Sequence, residues 1–117
     1  MMHLNHRAIA VATIVLIGSI TSVAAGELPS YPVEQWCNRV ASSSGSRSEL
    51  IYGGCIEQEQ SAYNSLKGTW SALPSQMQSW CDTVAKSGGA GSYLILNGCV
   101  QQEQNAGREN SSRQFRR

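Results

Sequence analysis

The chain has 117 residues, 41% of them apolar and 15% charged, with a formal net charge of +1. That length holds one small domain, and a balance so near neutral lacks the basic footprint of a nucleic-acid binder. The charge is unevenly placed: residues 27–107 hold four basic side chains against seven acidic ones, and the last ten residues hold four arginines against Glu109.

Residues 1–25 read as a signal peptide. Arg7 is the only charge in a short n-region, residues 8–20 are apolar and uncharged, and Val23-Ala24-Ala25 offers small residues where a signal peptidase reads. Cleavage is expected after Ala25, with Ala24 as the alternative. The apolar run is shorter than the roughly 20 residues that span a bilayer. Membrane contact is therefore expected only through this leader, before cleavage. Both histidines, His3 and His6, lie before the cut. A mature chain without histidine has no base for a serine triad.

The mature chain is a tandem repeat. Trp36-Cys37 returns as Trp80-Cys81, 44 positions on, and Gln58-Glu59-Gln60 returns as Gln102-Glu103-Gln104. Val40/Val84, Ser48/Ser92, Ile51/Ile95, Gly54/Gly98 and Ala62/Ala106 match at the same offset. Self-similarity at this period marks stacked supersecondary units. The repeats cover about 30–68 and about 74–107 within a domain spanning about 26–107.

In chain order, residues 27–31 are a lead-in. Pro32 suits the first turn of a helix, and Val33, Trp36, Cys37, Val40 and Ala41 fall on one helical face. Ser42-Ser43-Ser44-Gly45 stops that helix. Ser46 is expected to cap the next one, with Glu49 as its capping-box partner. Leu50, Ile51, Cys55, Ala62 and Leu66 then continue at helical spacing. Gly53-Gly54 and Gly98 predict a close approach by a neighbouring helix or ring. Gly68 ends the helix, and Trp70 is expected to pack under the joint between repeats. Pro74 opens a third helix with Met77, Trp80, Cys81, Val84 and Ala85 on its apolar face. Ser92 caps a fourth, which carries Tyr93, Leu94, Leu96, Cys99, Val100 and Ala106, and Gly107 ends the recognisable repeat. Residues 108–117 are almost without apolar side chains and are expected to form a basic disordered tail.

Four cysteines in an exported chain are expected staples. In each repeat the second cysteine follows the first by 18 positions. In an antiparallel helical hairpin, Cys37 lies about six residues before the turn and Cys55 about seven after Ser48, so at a rise of about 1.5 Å per residue they stand at matching height. This predicts Cys37–Cys55 and Cys81–Cys99. Zinc ligands come in closer pairs, and neither a haem-attachment nor a redox Cys-x-x-Cys motif is present. No cofactor or metal is expected.

Three features invite a chemical reading. Trp36 and Trp80 could form an aromatic surface, but burial beside the disulfides is expected. The repeated Gln58, Glu59, Gln60 and Gln102, Glu103, Gln104 offer a surface that caps a neighbouring helix, faces a partner, or supplies a pair of catalytic carboxylates of the kind hydrolases use. A solvated helix face is the expectation against which these are weighed. Ser87-Gly88-Gly89-Ala90-Gly91-Ser92 lacks the lysine of a phosphate loop and reads as a turn.

The run Cys-x-x-Gln-Glu-Gln-x-Ala-Tyr-x-x-Leu-Lys, from Cys55 to Lys67, resembles small exported bacterial proteins with cysteine-paired helical repeats. Cys55, Leu66 and the Gln78/Trp80/Cys81 cluster also resemble the helical lysozyme-inhibitor-like proteins of the bacterial envelope, which implies an inhibitory or binding role. Together these readings predict an all-α domain of two tandem disulfide-linked αα-hairpins, four short helices in all, in the periplasm or outside the cell. The expected function is a non-enzymatic interaction or structural module whose partner is an envelope or extracellular protein. An inhibitor or small-ligand carrier is the alternative, and a hydrolase using Glu59 and Glu103 is the third reading.

Overall fold

A computed structural model describes residues 26–117. The expected leader over 1–25 and its cleavage site lie outside the described residues. Four α-helices follow in order: α1 (Val33–Ala41), α2 (Glu49–Lys67), α3 (Ser75–Ala85) and α4 (Tyr93–Asn110), with a 3₁₀ turn at Trp70–Ala72. There is no strand among the described residues. The fold is all-α, as the period of the apolar positions requires.

Pro32 and Pro74 stand at the N-cap positions of α1 and α3, one place ahead of the first turn. Each helix starts on the proline carbonyl, which accepts from Trp36 N and Gln78 N respectively. The turns after α1 and α3 are built alike. Gly45 and Gly89 take φ of +106° and +113°, a conformation in which a side chain is strained. The capping serine of α2 is Ser48, not Ser46. Ser48 N donates to Ala41 O at 3.0 Å, which ties the chain back to α1 and holds residue 48 extended. Ser48 Oγ then accepts from Ile51 N, and Ser92 Oγ accepts from Ile95 N in the second copy. Glu49 is consequently the first residue of α2 and pairs with Arg47 at 3.1 Å.

α1 packs on α2 and α3 on α4, and α2 against α4 joins the two hairpins. The disulfides are Cys37–Cys55 and Cys81–Cys99, with Cα separations of 5.6 and 5.5 Å, inside the range the bond prefers. The core is off-centre. It gathers Ala62 and Leu66 of α2, Trp70 and Leu73 of the joint, and Cys81, Ala85, Tyr93, Leu96, Cys99 and Val100 of the second hairpin. Tyr31 of the lead-in closes it from above. Trp70 is buried under the joint as its position suggests.

Several expectations fail, each for a geometric reason. Leu50 is 87% exposed, and Ile51 is exposed on the rim of an open groove that it lines with Leu94 and Ile95. Trp80 is 54% exposed. On α3 the buried line runs through Gln78, Cys81 and Ala85; Met77 and Val84 flank it and pack partly buried against the core, while Trp80 lies about 100° round the helix from Cys81. Trp36 is half-buried rather than buried. No side chain lies within 4 Å of where a Cβ would stand at Gly53, Gly54 or Gly98, so no ring or helix comes close there. The basic stretch expected to be disordered begins in helix, because α4 runs on to Asn110. Ser111 caps it by donating N–H to Gly107 O, and Glu109 pairs with Arg113 one turn on. Residues 113–117 have no regular secondary structure.

Candidate functional site

The repeated carboxylates end up in opposite surroundings. Glu59 is only 2% exposed, and it lies on the side of α2 that meets the start of α4. Its Oε1 accepts from Ser92 Oγ at 2.5 Å. Its Oε2 accepts from Tyr93 N at 2.6 Å and Leu94 N at 3.4 Å. Helix starts leave such N–H groups without partners, and a carboxylate is favoured there by the helix dipole. Ser92 serves twice: it accepts from Ile95 N and donates to Glu59. The first repeat thus supplies half of the cap of the second.

Glu103, the matching carboxylate, is exposed and makes none of these bonds. It stands beside Pro74, Gln76, Met77 and Trp80 in an open groove. Gln58, Gln60, Gln102 and Gln104 are all exposed. Gln60 donates to Asn64 along its own helix. Glu59 and Glu103 line no common groove, so the two carboxylates are not brought together as a pair.

An aromatic cluster braces the same junction. The rings of Tyr31 and Tyr93 lie 4.7 Å apart, and those of Tyr63 and Tyr93 lie 5.0 Å apart. Tyr31 N donates to Tyr93 Oη, which donates in turn to Pro29 O. Tyr31 Oη donates to Asp82 Oδ1 at 2.6 Å, and Lys86 Nζ sits 2.6 Å from Asp82 Oδ2. Burial, reinforced by the bond to Asp82, pushes the Tyr31 hydroxyl well above its ordinary value. Burial alone would raise the Asp82 carboxyl, but the hydrogen bonds from Lys86 and Tyr31 outweigh it and hold the group below the usual carboxylate value. Gly91, at φ +95°, makes room for the Tyr31 ring: a Cβ there would fall 2.6 Å from it.

Sequence reasoning did not single out Gln78, Tyr31 or Asp82 as anchors. Gln78 is buried, donates to Trp70 O at 2.7 Å and accepts from Gly26 N. Its one legible signal is a polar residue in line with Cys81 and Ala85 on an otherwise apolar face. Among the described residues no three His, Cys, Asp or Glu side chains gather as a metal site.

Two grooves flank the hairpins. The first is lined by Trp36, Val40, Gly54, Gln58 and Glu59 of hairpin one and closed by Ser92, Leu94 and Ile95. The second is lined by Trp80, Val84, Ile95, Gly98, Gln102 and Glu103. Both lie open to solvent and end on exposed apolar side chains, which suits them to contact rather than to enclosing a substrate. No protein-family model, curated protein or solved structure matches this chain.

Proposed function

We propose that the protein is an exported interaction module, working in the periplasm or outside the cell by presenting a rigid, disulfide-stapled helical surface. Two closed disulfides with no free cysteine among the described residues fit an oxidising, non-cytoplasmic compartment. The observation that carries the reading is the fate of the repeated carboxylates. Glu59 is committed to holding α4, with both oxygens engaged. Glu103 stands on an open apolar groove beside a largely exposed Trp80. An exposed tryptophan on an apolar groove is a residue type that binding hot spots favour, and a carboxylate tied to a helix start has no oxygen to offer a substrate. The resemblance to envelope inhibitors agrees with a binding role.

The test is affinity capture from an envelope extract with the mature protein and its Trp80→Ala and Glu103→Lys variants. Capture that both substitutions abolish is the expected result. A hydrolytic activity that survives purification and disappears in Glu103→Gln would overturn the reading.

A further inference from the structure

The second groove is the first one repeated. Every residue that lines it, from Trp80 to Glu103, stands 44 positions after a residue lining the first. Only one component differs. The first groove is completed by Ser92, Leu94 and Ile95 of the next hairpin, and among the described residues nothing completes the second. The counterparts of those three are Ser48, Leu50 and Ile51. They stand at the start of α2, where Ile51 itself lines the first groove, and Leu50 and Ile51 are both exposed. The protein therefore leaves a copy of each face of its internal hairpin–hairpin interface exposed.

We propose that the second groove receives residues 48–51 of another copy of this chain, so that copies associate head to tail. This rests on the binding-module reading and names its partner. In the docked pair, Glu103 accepts from the Ser48 hydroxyl and from the N–H groups of Glu49 and Leu50, as Glu59 does from Ser92, Tyr93 and Leu94. Those groups have no other acceptor among the described residues, since Ser48 Oγ is itself engaged only as an acceptor from Ile51 N. Leu50 and Ile51 leave water against Trp80, Val84 and Ile95. The turn around Ser44 covers Trp80 as Gly88 covers Trp36, whose ring lies 3.4 Å from the Cβ position there.

The internal interface has an aromatic brace that the external one lacks. Ser75, Glu49 and Gly107 occupy the positions of Tyr31, Tyr93 and Tyr63. Association between copies is accordingly weaker than the covalently joined stack, and reversible. Because the two faces differ, the contact is heterologous and does not close on itself; each added copy leaves one groove and one α2 start exposed, as in a solenoid of repeats.

Complementation tests this. The mature protein and two exposed-site variants, Leu50→Asp and Glu103→Lys, are followed by sedimentation from about 10 µM to about 1 mM, the range of weak specific contacts. Unchanged helix content and melting temperature confirm that both variants fold. The wild type is expected to gain mass beyond a dimer as concentration rises. Each variant alone is expected to associate at least tenfold more weakly. An equal mixture retains one intact groove and one intact α2 start, and is expected to stop at a one-to-one dimer. A wild type that stays monomeric throughout, a variant that alone associates as strongly as the wild type, or a mixture that gains no mass would overturn the proposal. A monomeric wild type that still captures an envelope protein through Trp80 would sink head-to-tail docking and leave the binding-module reading standing.

Discussion

At Glu59 a charged side chain has been taken out of water, and three donors at one helix start make this tolerable. Glu59→Ala strands the Ser92 hydroxyl and the Tyr93 N–H, and leaving such donors unpaired costs about 2–3 kcal/mol. Glu103→Ala, on an exposed face, should change stability by less than about 0.5 kcal/mol. Denaturant midpoints measured at constant slope check the contrast, and equal losses at the two sites would refute the capping role. The repeat flagged both carboxylates and could not rank them. Identity at a 44-residue offset shows that two residues hold the same place within a hairpin. It is silent on whether another hairpin stands over them. Trp36 and Trp80 differ for the same reason: the turn at Gly88 covers only the first.

Residues 26–32 form no helix, yet they fasten the second hairpin through Gly26, Pro29 and Tyr31. Such a segment ties stability to pH. Asp82 is depressed in the fold, so its contribution is complete above the unfolded carboxylate value of about 4 and is lost as pH falls through the folded value. Tyr31 is raised, so its contribution is complete below about 10 and is lost as pH rises past that point. Tyr31→Phe removes the shared hydrogen bond. The stability difference between wild type and Tyr31→Phe should hold level from about pH 5 to about pH 9 and shrink at both extremes. A difference that stays constant from about pH 3 to about pH 11 would contradict this linkage. The helices, the turns at Gly45 and Gly89 and both disulfides were legible in the sequence because each is set by spacing within one repeat. The lead-in was not, because its partners lie between 51 and 64 positions away and no period connects them.

The whole molecule is unevenly held. Buried side chains crowd between the second half of α2, the joint and hairpin two, while α1 buries only Cys37 and Ala41. The two disulfides therefore do different work, although each closes a loop of a size that contributes about 3 kcal/mol in the chain-entropy picture. Cys81–Cys99 lies inside the core. Cys37–Cys55 clips α1 and the outer half of α2 to a body that otherwise grips them lightly. Local opening follows the density of buried apolar contacts. In native-state hydrogen exchange, α4 and residues 62–66 should be protected longest, and residues 33–41 and 49–54 least. Replacing Cys37 and Cys55 with serine should open α1 and leave protection in α4 nearly unchanged. Replacing Cys81 and Cys99 should lower protection throughout. A uniform loss on replacing Cys37 and Cys55 would mean that the two hairpins unfold as one unit. The least protected end is also the end that carries Leu50 and Ile51, so anything that docks there binds the closed form over the opened one and stabilises it by mass action. Protection of residues 49–54 should then rise with protein concentration while that of residues 62–66 stays fixed, a pattern that an isolated hairpin end fraying on its own cannot produce.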